Sequence, residues 1–197
     1  KTTFLYDCFI AKGAVMGDSF GLETALWFAK NPKDAHEEPT FKRSRCHNYV
    51  AEEVKAVRTS VGVTEIANFA KHEFTGKGAR KFLDYILAGR IPKPGRIILT
   101  PMLTPKGKLY GDLTVACLNE EKFMIFGSGV AQEMHRRWFE KFLPKNDVNY
   151  INRSDDFHGI AISGPNSRKL LSKICRDDVS DQVFKFRDTR ETFVGGV

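Results

Sequence analysis

The stretch LTPMLTPKGKLYGDLTVACL, residues 99–118, has the pattern of a β-hairpin and largely decides the fold. Its centre, Thr104-Pro105-Lys106-Gly107, suits a type I turn, with proline at the second position and, at the fourth, a glycine that can adopt a left-handed backbone. Such a turn closes a three-residue loop. The resulting register pairs Thr104 with Lys108, Met102 with Tyr110, and Thr100 with Asp112.

The two faces of this hairpin differ in character. Alternation places on one face the apolar side chains of a core: Leu99, Leu103, Leu109, Leu113, Val115 and Cys117. Asp112 falls on the other face, among Thr100, Met102, Tyr110 and Thr114. The second face of an antiparallel strand often meets water, and a lone aspartate there needs no ligand. The alternative is a sheltered cavity in which the carboxylate meets a cationic or proton-releasing ligand. The pattern leaves both interpretations open.

Helices and hairpins alternate along the chain. A valine every three or four residues from Val50 to Val61, with Asn48 as cap and Gly62 as stop, predicts the first long helix. The further predicted elements are a strand at 71–75, a helix at 79–87, a strand at 122–126, a helix ending at Pro144, a strand at 159–163, a helix carrying Leu170, Leu171 and Ile174, and a strand near 184–193. This order indicates an α+β class, with a mainly antiparallel sheet and packed helices. We expect an irregular lead-in segment over residues 1–47 and the main domain over residues 48–197.

Composition indicates an ordinary globular protein. The 197 residues are 42% hydrophobic and 28% charged, which disfavours disorder. The formal net charge of +7 is compatible with polyanionic ligands, but the basic residues are dispersed and follow no nucleic-acid-binding pattern. We therefore expect no nucleic-acid partner. Because no apolar run reaches about 18 residues, we also expect no membrane span.

The cysteines and histidines predict no metal site. The cysteines, at positions 8, 46, 117 and 175, are far apart without a CxxC pair and have the pattern of reduced cytosolic thiols. The histidines, at positions 36, 47, 72, 135 and 158, have no HExxH or related spacing. Each histidine is expected to be solvated or structurally bonded. Because reduced thiols are typical of the cytosol, the expected location of the protein is the cytoplasm.

Several blocks of the sequence together resemble one family. They are FGLETALWFAK (20–30), EEVKAVRTSVGVTEIANFAKHEFTGKGARKFLD (52–84), RIPKPGRIILTPMLTPKGKLYGDLTVACL (90–118), FGSGVAQEMHRRWFEKFLP (126–144) and GIAISGPNSRKLLSKI (159–174). Their order and spacing are similar to the folate-binding, aminomethyltransferase-type portion of dimethylglycine and sarcosine dehydrogenases and, more distantly, to the T-protein of the glycine cleavage system. The resemblance covers most of the chain from about Gly17 onward. It implies the N-terminal part of the T-protein-like fold.

The resemblance implies a catalytic role for Asp112. In that family the carboxylate on the strand after the hairpin lies beside the reactive N5–N10 edge of tetrahydrofolate, and this position falls on Asp112. The implied folate-binding residues are Phe69, Met102, Leu103, Tyr110, Phe126 and Ser128. Of these, Phe69 would stack on the ring of the ligand. Plain core packing is the alternative for Leu103 and Phe126, and Leu103 also lies on the predicted core face of the hairpin.

The implied reaction passes a one-carbon unit from an N-methylglycine-type amine, such as dimethylglycine or sarcosine, to tetrahydrofolate, giving 5,10-methylenetetrahydrofolate. Tetrahydrofolate is the implied cofactor, and FAD is implied only in a domain outside this chain. The implied partners are the folate, the amine and a flavin-binding domain or subunit. A non-catalytic folate-binding or regulatory module of the same fold is the alternative. In a eukaryote the expected compartment is the mitochondrial matrix.

Departures from the T-protein pattern affect the pocket. Asn68-Phe69-Ala70 stands where the T-protein has Ser-His-Met, and Ser128 stands where it has a pocket asparagine. The family's later Gly-Glu-x-Gly-Tyr-Glu-like segment would lie past Val197, and no dinucleotide fingerprint is present. We therefore expect an interior or truncated part of a larger flavoprotein, with an incomplete folate pocket and no independent oxidase activity.

Overall fold

The computed structural model describes residues 1–196 and combines helices with antiparallel strands. The helices are α1 (Tyr6–Ala11), α2 (His47–Thr59), α3 (Ala79–Ile86), α4 (Gln132–Phe142) and α5 (Ser167–Leu171). The strands are β1 (Ala14–Ser19), β2 (Leu22–Phe28), β3 (Gly62–Glu65), β4 (Phe69–Thr75), β5 (Arg96–Leu103), β6 (Leu109–Asn119), β7 (Lys122–Ser128), β8 (Asn149–Asn152) and β9 (Ile160–Ser163). The predicted α+β class with a mainly antiparallel sheet is confirmed. None of the helices in the described part of the chain has the length and apolar character that crossing a bilayer requires.

Most of the predicted elements are confirmed. The helices predicted from Asn48, over 79–87 and before Pro144 correspond to α2, α3 and α4. The strands predicted at 71–75, 122–126 and 159–163 correspond to β4, β7 and β9, whereas α5 ends before Ile174. The strand predicted near 184–193 is wrong. There the Lys185 amide donates to the Asp188 carboxylate at 2.7 Å and closes a turn, and Phe186 is 80% exposed, so this segment has no apolar face to bury.

Residues 1–47 do not form the irregular lead-in segment that the sequence predicts. They contain α1 and an antiparallel hairpin of β1 and β2. At the hairpin tip Phe20 and Gly21 have φ values of 55° and 84°, which is the type of turn that matches the twist of paired strands. The Gly21 amide donates to the Asp18 carboxylate at 3.1 Å. Because phenylalanine is uncommon at positive φ, the sequence carries no hairpin signal at this point.

The chain forms two compact units. The first comprises Lys1–Ala67 and Ile160–Leu170, and the second comprises Asn68–Gly159 and the chain from Leu171 onward. These limits differ from the predicted division between residues 47 and 48. The first unit contains β3 paired with β9, two segments far apart in sequence. Sequence reasoning misses this pairing because no local pattern signals it.

A five-stranded antiparallel sheet, in the order β5-β6-β7-β4-β8, organises the second unit. α3 and α4 supply Phe82, Leu83 and Phe139 to a core on one side of this sheet. The fully buried strand residues of that core include Phe74, Leu113, Val115, Phe123 and Ile125. We call this side of the sheet the helix face and the opposite side the outer face. Leu113 on β6 points into the helix face, so its neighbour Asp112 belongs to the outer face.

Candidate functional site on the outer face of the sheet

The turn of the β5–β6 hairpin has the predicted chemistry. The Thr104 amide donates to the Lys108 carbonyl at 2.8 Å. Gly107 has a φ of 71°, the left-handed conformation expected at the fourth position of this turn. The predicted start of the register is therefore confirmed.

Beyond the turn, the hairpin contains a β-bulge that the sequence does not reveal. Leu103 lies opposite Leu109, but Met102 lies opposite Gly111. Tyr110 is thus an extra residue on β6, and it shifts the register by one. The predicted pairing of Met102 with Tyr110 is wrong for this reason.

This bulge determines which residues of β5 lie beside Asp112. After it, Asp112 lies opposite Pro101, and Leu113 lies opposite Thr100. The predicted pairing of Thr100 with Asp112 is therefore also wrong, and Thr100 is 1% exposed on the helix face. Asp112 is exposed on the outer face. A single inserted residue has this effect because side chains alternate with a period of two along a strand.

The bulge also changes the surroundings of the other predicted residues. Met102 is fully buried on the helix face, and the ring of Tyr110 lies 4.4 Å from that of Trp138 on α4, measured between ring centroids. Leu103 is 36% exposed and shares the outer face with Asp112. The predicted core face is confirmed for Leu113, Val115 and Cys117 and is wrong for Leu99, Leu103 and Leu109, each of which is exposed.

Three of the predicted site residues lie on one rung of the outer face. Phe69 on β4 lies opposite Ser128 on β7, and Phe126 on β7 lies opposite Thr114 on β6. Continuing this second pairing by two residues along each strand sets Ser128 across from Asp112. Directly opposite Cβ atoms in a sheet are about 5 Å apart. Phe69, Ser128 and Asp112 are therefore neighbours across three strands, and Phe126 lies on the next rung.

Charged side chains with little exposure lie on the same face. Lys71 on β4 lies opposite Phe126 and is 3% exposed. Its Nζ donates to the Phe69 carbonyl at 2.7 Å. Glu73, two residues further along β4, pairs with Arg153 at 3.0 Å. The outer face thus carries the fixed ammonium group of Lys71 on β4, next to Phe126, and the exposed carboxylate of Asp112 on β6, two strands away.

This arrangement can hold a flat ligand that carries N–H groups. Phe69 is 45% exposed and offers a ring surface for stacking. The Ser128 hydroxyl can donate or accept a hydrogen bond. The Asp112 carboxylate can accept hydrogen bonds and can take a proton from a bound donor.

A cavity of about 860 Å³ lies in the first unit and contains none of the predicted site residues. It lies between α1, the β1–β2 hairpin and α2, and its lining includes Lys12, Phe28, Tyr49 and Glu52. The Tyr49 hydroxyl donates to Asp34 at 2.7 Å, and this hydrogen bond raises the pKa of Tyr49. No motif signals this cavity, because its walls come from separate elements.

Two histidines are buried under the helix face of the sheet. His72 is fully buried and its Nδ1 lies 2.9 Å from the Tyr150 hydroxyl, while His135 is 2% exposed and its Nε2 lies 3.1 Å from the Tyr110 carbonyl oxygen. Burial, followed by the nearby His135, lowers the pKa of His72 to about 4. Burial also lowers the pKa of His135. These two histidines are structurally bonded, as predicted. Residues 1–196 contain no group of three or more His, Cys, Asp or Glu side chains that could hold a metal ion.

Acidification is expected to destabilise the protein through His72. In the unfolded chain this residue gains its proton near pH 6.5, whereas in the folded chain its pKa is about 4. Its contribution to stability is therefore complete above pH 6.5 and is lost as the pH falls towards 4. The total loss is about 3 kcal/mol. His72→Phe keeps a ring and removes the proton site, so the free energy of unfolding should depend less steeply on pH in this window.

Urea unfolding of wild type and His72→Phe at a series of pH values tests this expectation. His47→Gln, at an exposed histidine of α2, controls for the removal of a histidine as such. An identical pH dependence in wild type and His72→Phe would contradict the prediction.

Comparison with solved structures defines the fold. Glycine cleavage system aminomethyltransferase T from Bartonella henselae matches with a TM-score of 0.78, over 97% of this chain and 47% of that one, at 20% sequence identity. The chain therefore has the fold of the part of that T protein that it matches. This agrees with the T-protein-like fold that the sequence resemblance implies.

Sequence comparison then shows the family. Residues 5–197 match the family described as GCVT N-terminal domain, and the chain belongs to this family. Over 185 residues it is 35% identical to the mitochondrial dimethylglycine dehydrogenase of Homo sapiens, covering 92% of this chain and 21% of that protein. Over 181 residues it is 29% identical to the aminomethyltransferase of Thermosipho melanesiensis, covering 91% of this chain and 45% of that protein. The chain thus spans about a fifth of the first relative and less than half of the second.

Proposed function

We propose that this domain binds tetrahydrofolate on the outer face of its sheet and takes part in passing a one-carbon unit to it from an N-methylglycine-type amine. The products are 5,10-methylenetetrahydrofolate and the amine from which the one-carbon unit leaves. The observation that carries the proposal is the rung of Phe69, Ser128 and Asp112, which combines a ring, a hydroxyl and a carboxylate in three exposed side chains of the outer face. The relatives named dimethylglycine dehydrogenase and aminomethyltransferase support the substrate class.

The side chains of the outer face fit a reduced folate. A pterin is flat and carries N–H groups on its edge, so it needs an apolar surface beside hydrogen-bond acceptors. Phe69 and Leu103, 45% and 36% exposed, provide such a surface, and Phe126 lies on the rung beside Ser128. Met102 and Tyr110 point to the helix face, and we assign them no contact with the ligand.

Asp112 has two roles in this proposal. Tetrahydrofolate supplies the nucleophilic nitrogen atoms that receive the one-carbon unit. The Asp112 carboxylate stabilises the positive charge that develops on the incoming unit. It also accepts the proton that the attacking nitrogen must lose. The formal net charge of +7 favours the anionic glutamate tail of the folate.

The activity of a whole protein that contains this domain is also a proposal. Oxidation of the methylated amine by FAD would take place in another domain or subunit, consistent with a chain that spans about a fifth of its dehydrogenase relative. In a eukaryote we propose the mitochondrial matrix, because that relative is a mitochondrial protein by name. A non-catalytic folate-binding module is the second candidate. Phe69 favours it, because this residue replaces a histidine of the T-protein pattern.

Phe69→Ala is expected to weaken the binding of tetrahydrofolate about tenfold, because ring stacking contributes roughly 1 kcal/mol beyond the buried area. Calorimetric titration of tetrahydrofolate into the chain, and into any longer natural form of it, measures the affinity. Phe41→Ala is the control, since Phe41 is 111% exposed and lies in the first unit.

Each result of this titration has a defined meaning. Binding by a longer form alone would place part of the pocket outside these residues. Equal affinities of wild type and Phe69→Ala would remove the stacking role. Tetrahydrofolate binding by neither form would refute the proposed function. Binding without any one-carbon transfer would favour the non-catalytic module.

A further inference from the structure

We infer that His135 is the positioning residue that holds the Tyr110 bulge in place and so keeps Asp112 on the outer face opposite Pro101 while Thr100 stays in the core. Only the expected effect on one-carbon transfer rests on the proposed function. The contact between His135 and the bulge does not depend on it. His135 lies on α4 and the bulge lies on β6, so the contact joins two elements that are separate in sequence.

The bulge determines which residue of β5 lies opposite Asp112. With Tyr110 as an extra residue, Asp112 lies opposite Pro101 on the outer face. Without the bulge, a turn that pairs Thr104 with Lys108 would set Asp112 opposite Thr100, whose side chain is 1% exposed on the helix face. Because Leu113 beside Asp112 is buried on the helix face, the sheet would then have to bury the Asp112 carboxylate or expose Thr100 and Met102. The bulge therefore allows Asp112 to stay on the outer face while Thr100 and Met102 stay in the core.

A bulge takes backbone groups out of the regular ladder, and a carbonyl that loses its partner destabilises the fold where water does not replace that partner. His135 Nε2 lies 3.1 Å from the Tyr110 carbonyl oxygen. Because burial keeps this imidazole neutral, it carries one N–H, and only a proton on Nε2 lets it donate to that oxygen. His135 Nδ1 has no hydrogen-bond partner among the described residues, which agrees with an unprotonated Nδ1.

The sheet leaves room for this imidazole. A Cβ atom built at Gly111 would lie 3.0 Å from His135 Nε2, and one at Gly127 would lie 3.2 Å from Nδ1. Both distances are tighter than ordinary contact, so the absence of side chains at these positions lets the ring approach the strands. One turn further along α4, Trp138 packs on the ring of Tyr110 at 4.4 Å. α4 thus contacts both the backbone and the side chain of the bulge residue.

The first test uses wild-type protein and needs no substitution. Nitrogen-15 NMR of the histidine side chains distinguishes the two neutral tautomers. We expect the Nε2–H tautomer for His135, with a hydrogen bond to a backbone carbonyl. The Nδ1–H tautomer would overturn the inference.

The second test compares His135→Leu with His135→Gln. Leucine fills the space without a donor, whereas the glutamine Nε2 can donate from a similar position. We expect amide exchange at residues 109–112 to accelerate about fivefold in His135→Leu, relative to residues 115–117 of the same strand, because a hydrogen bond of this kind is worth about 1 kcal/mol. His135→Gln should restore most of the protection. His72→Leu is the matched control, because His72 is equally buried but bonds Tyr150 instead of the bulge.

The transfer reaction provides a separate measurement. We expect kcat for one-carbon transfer to fall about tenfold or more in His135→Leu with a smaller change in KM, since displacement of a catalytic group mainly affects the reacting geometry. Equal acceleration of exchange at residues 109–112 and 115–117, or the same pattern in His72→Leu, would overturn the role of His135. Selective acceleration with unchanged transfer in both His135→Leu and Asp112→Asn would instead uphold that role and refute the catalytic role that the proposed function assigns to Asp112.

Discussion

Asp112→Asn is expected to slow one-carbon transfer to tetrahydrofolate about 10²–10³-fold. The amide has nearly the shape of the carboxylate, but it has no negative charge and cannot accept the proton of the attacking nitrogen. Because Asp112 is exposed on the outer face, the substitution leaves the core unchanged. Single-turnover formation of 5,10-methylenetetrahydrofolate measures the rate, and calorimetric titration measures the affinity for tetrahydrofolate.

The matched control is Asp84→Asn, which removes an exposed carboxylate from α3 in the same unit. Its transfer rate should equal that of wild type. If Asp112→Asn transfers the one-carbon unit as fast as wild type and binds tetrahydrofolate equally well, Asp112 has no catalytic role.

Phe139→Ala is expected to lower the free energy of unfolding by about 3–5 kcal/mol, the usual cost of removing a large buried ring. Phe139 is fully buried, and its ring centroid lies 5.1 Å from that of Phe74 and 5.1 Å from that of His72. Its loss would leave a cavity between α4 and β4, which the sheet cannot close without moving its strands. Urea unfolding followed by circular dichroism measures the change.

Phe69→Ala provides the opposite case on the same sheet. Phe69 lies on the outer face and is 45% exposed, so its replacement should cost less than about 1 kcal/mol of stability. The two phenylalanines should therefore separate the two properties: Phe139 affects stability, and Phe69 affects folate affinity. A loss of stability in Phe69→Ala as large as that in Phe139→Ala would show that the outer face is part of a core, which would contradict the proposed binding surface.

The candidate site could be predicted only in part. Asp112, Ser128 and Phe69 were identified through resemblance, and their placement on one rung follows from the register of the folded sheet. The bulge at Tyr110 could not be predicted, because hairpin patterns assume one residue on each strand at every step. Sequence spacing likewise assigned no special role to His135. The strand that it contacts, β6, precedes α4 in the chain, and β7 lies between the two. The feature of the sequence that relates to His135 is a pair of glycines, Gly111 and Gly127, which lie beside its ring in the folded protein. They can be connected with His135 only when the positions of their strands are known.

The sequence by itself determined the local elements of this protein. Turn chemistry at Thr104 to Gly107, the apolar spacing of α3 and the alternation of Leu113, Val115 and Cys117 are properties of neighbouring residues, so they could be read without a structure. Only the tertiary structure decided which residues of β5 lie beside Asp112, since that pairing depends on a bulge in contact with a distant helix. It also decided that β3 pairs with β9, because contacts between remote segments depend on the packing of the whole unit and not on local preference.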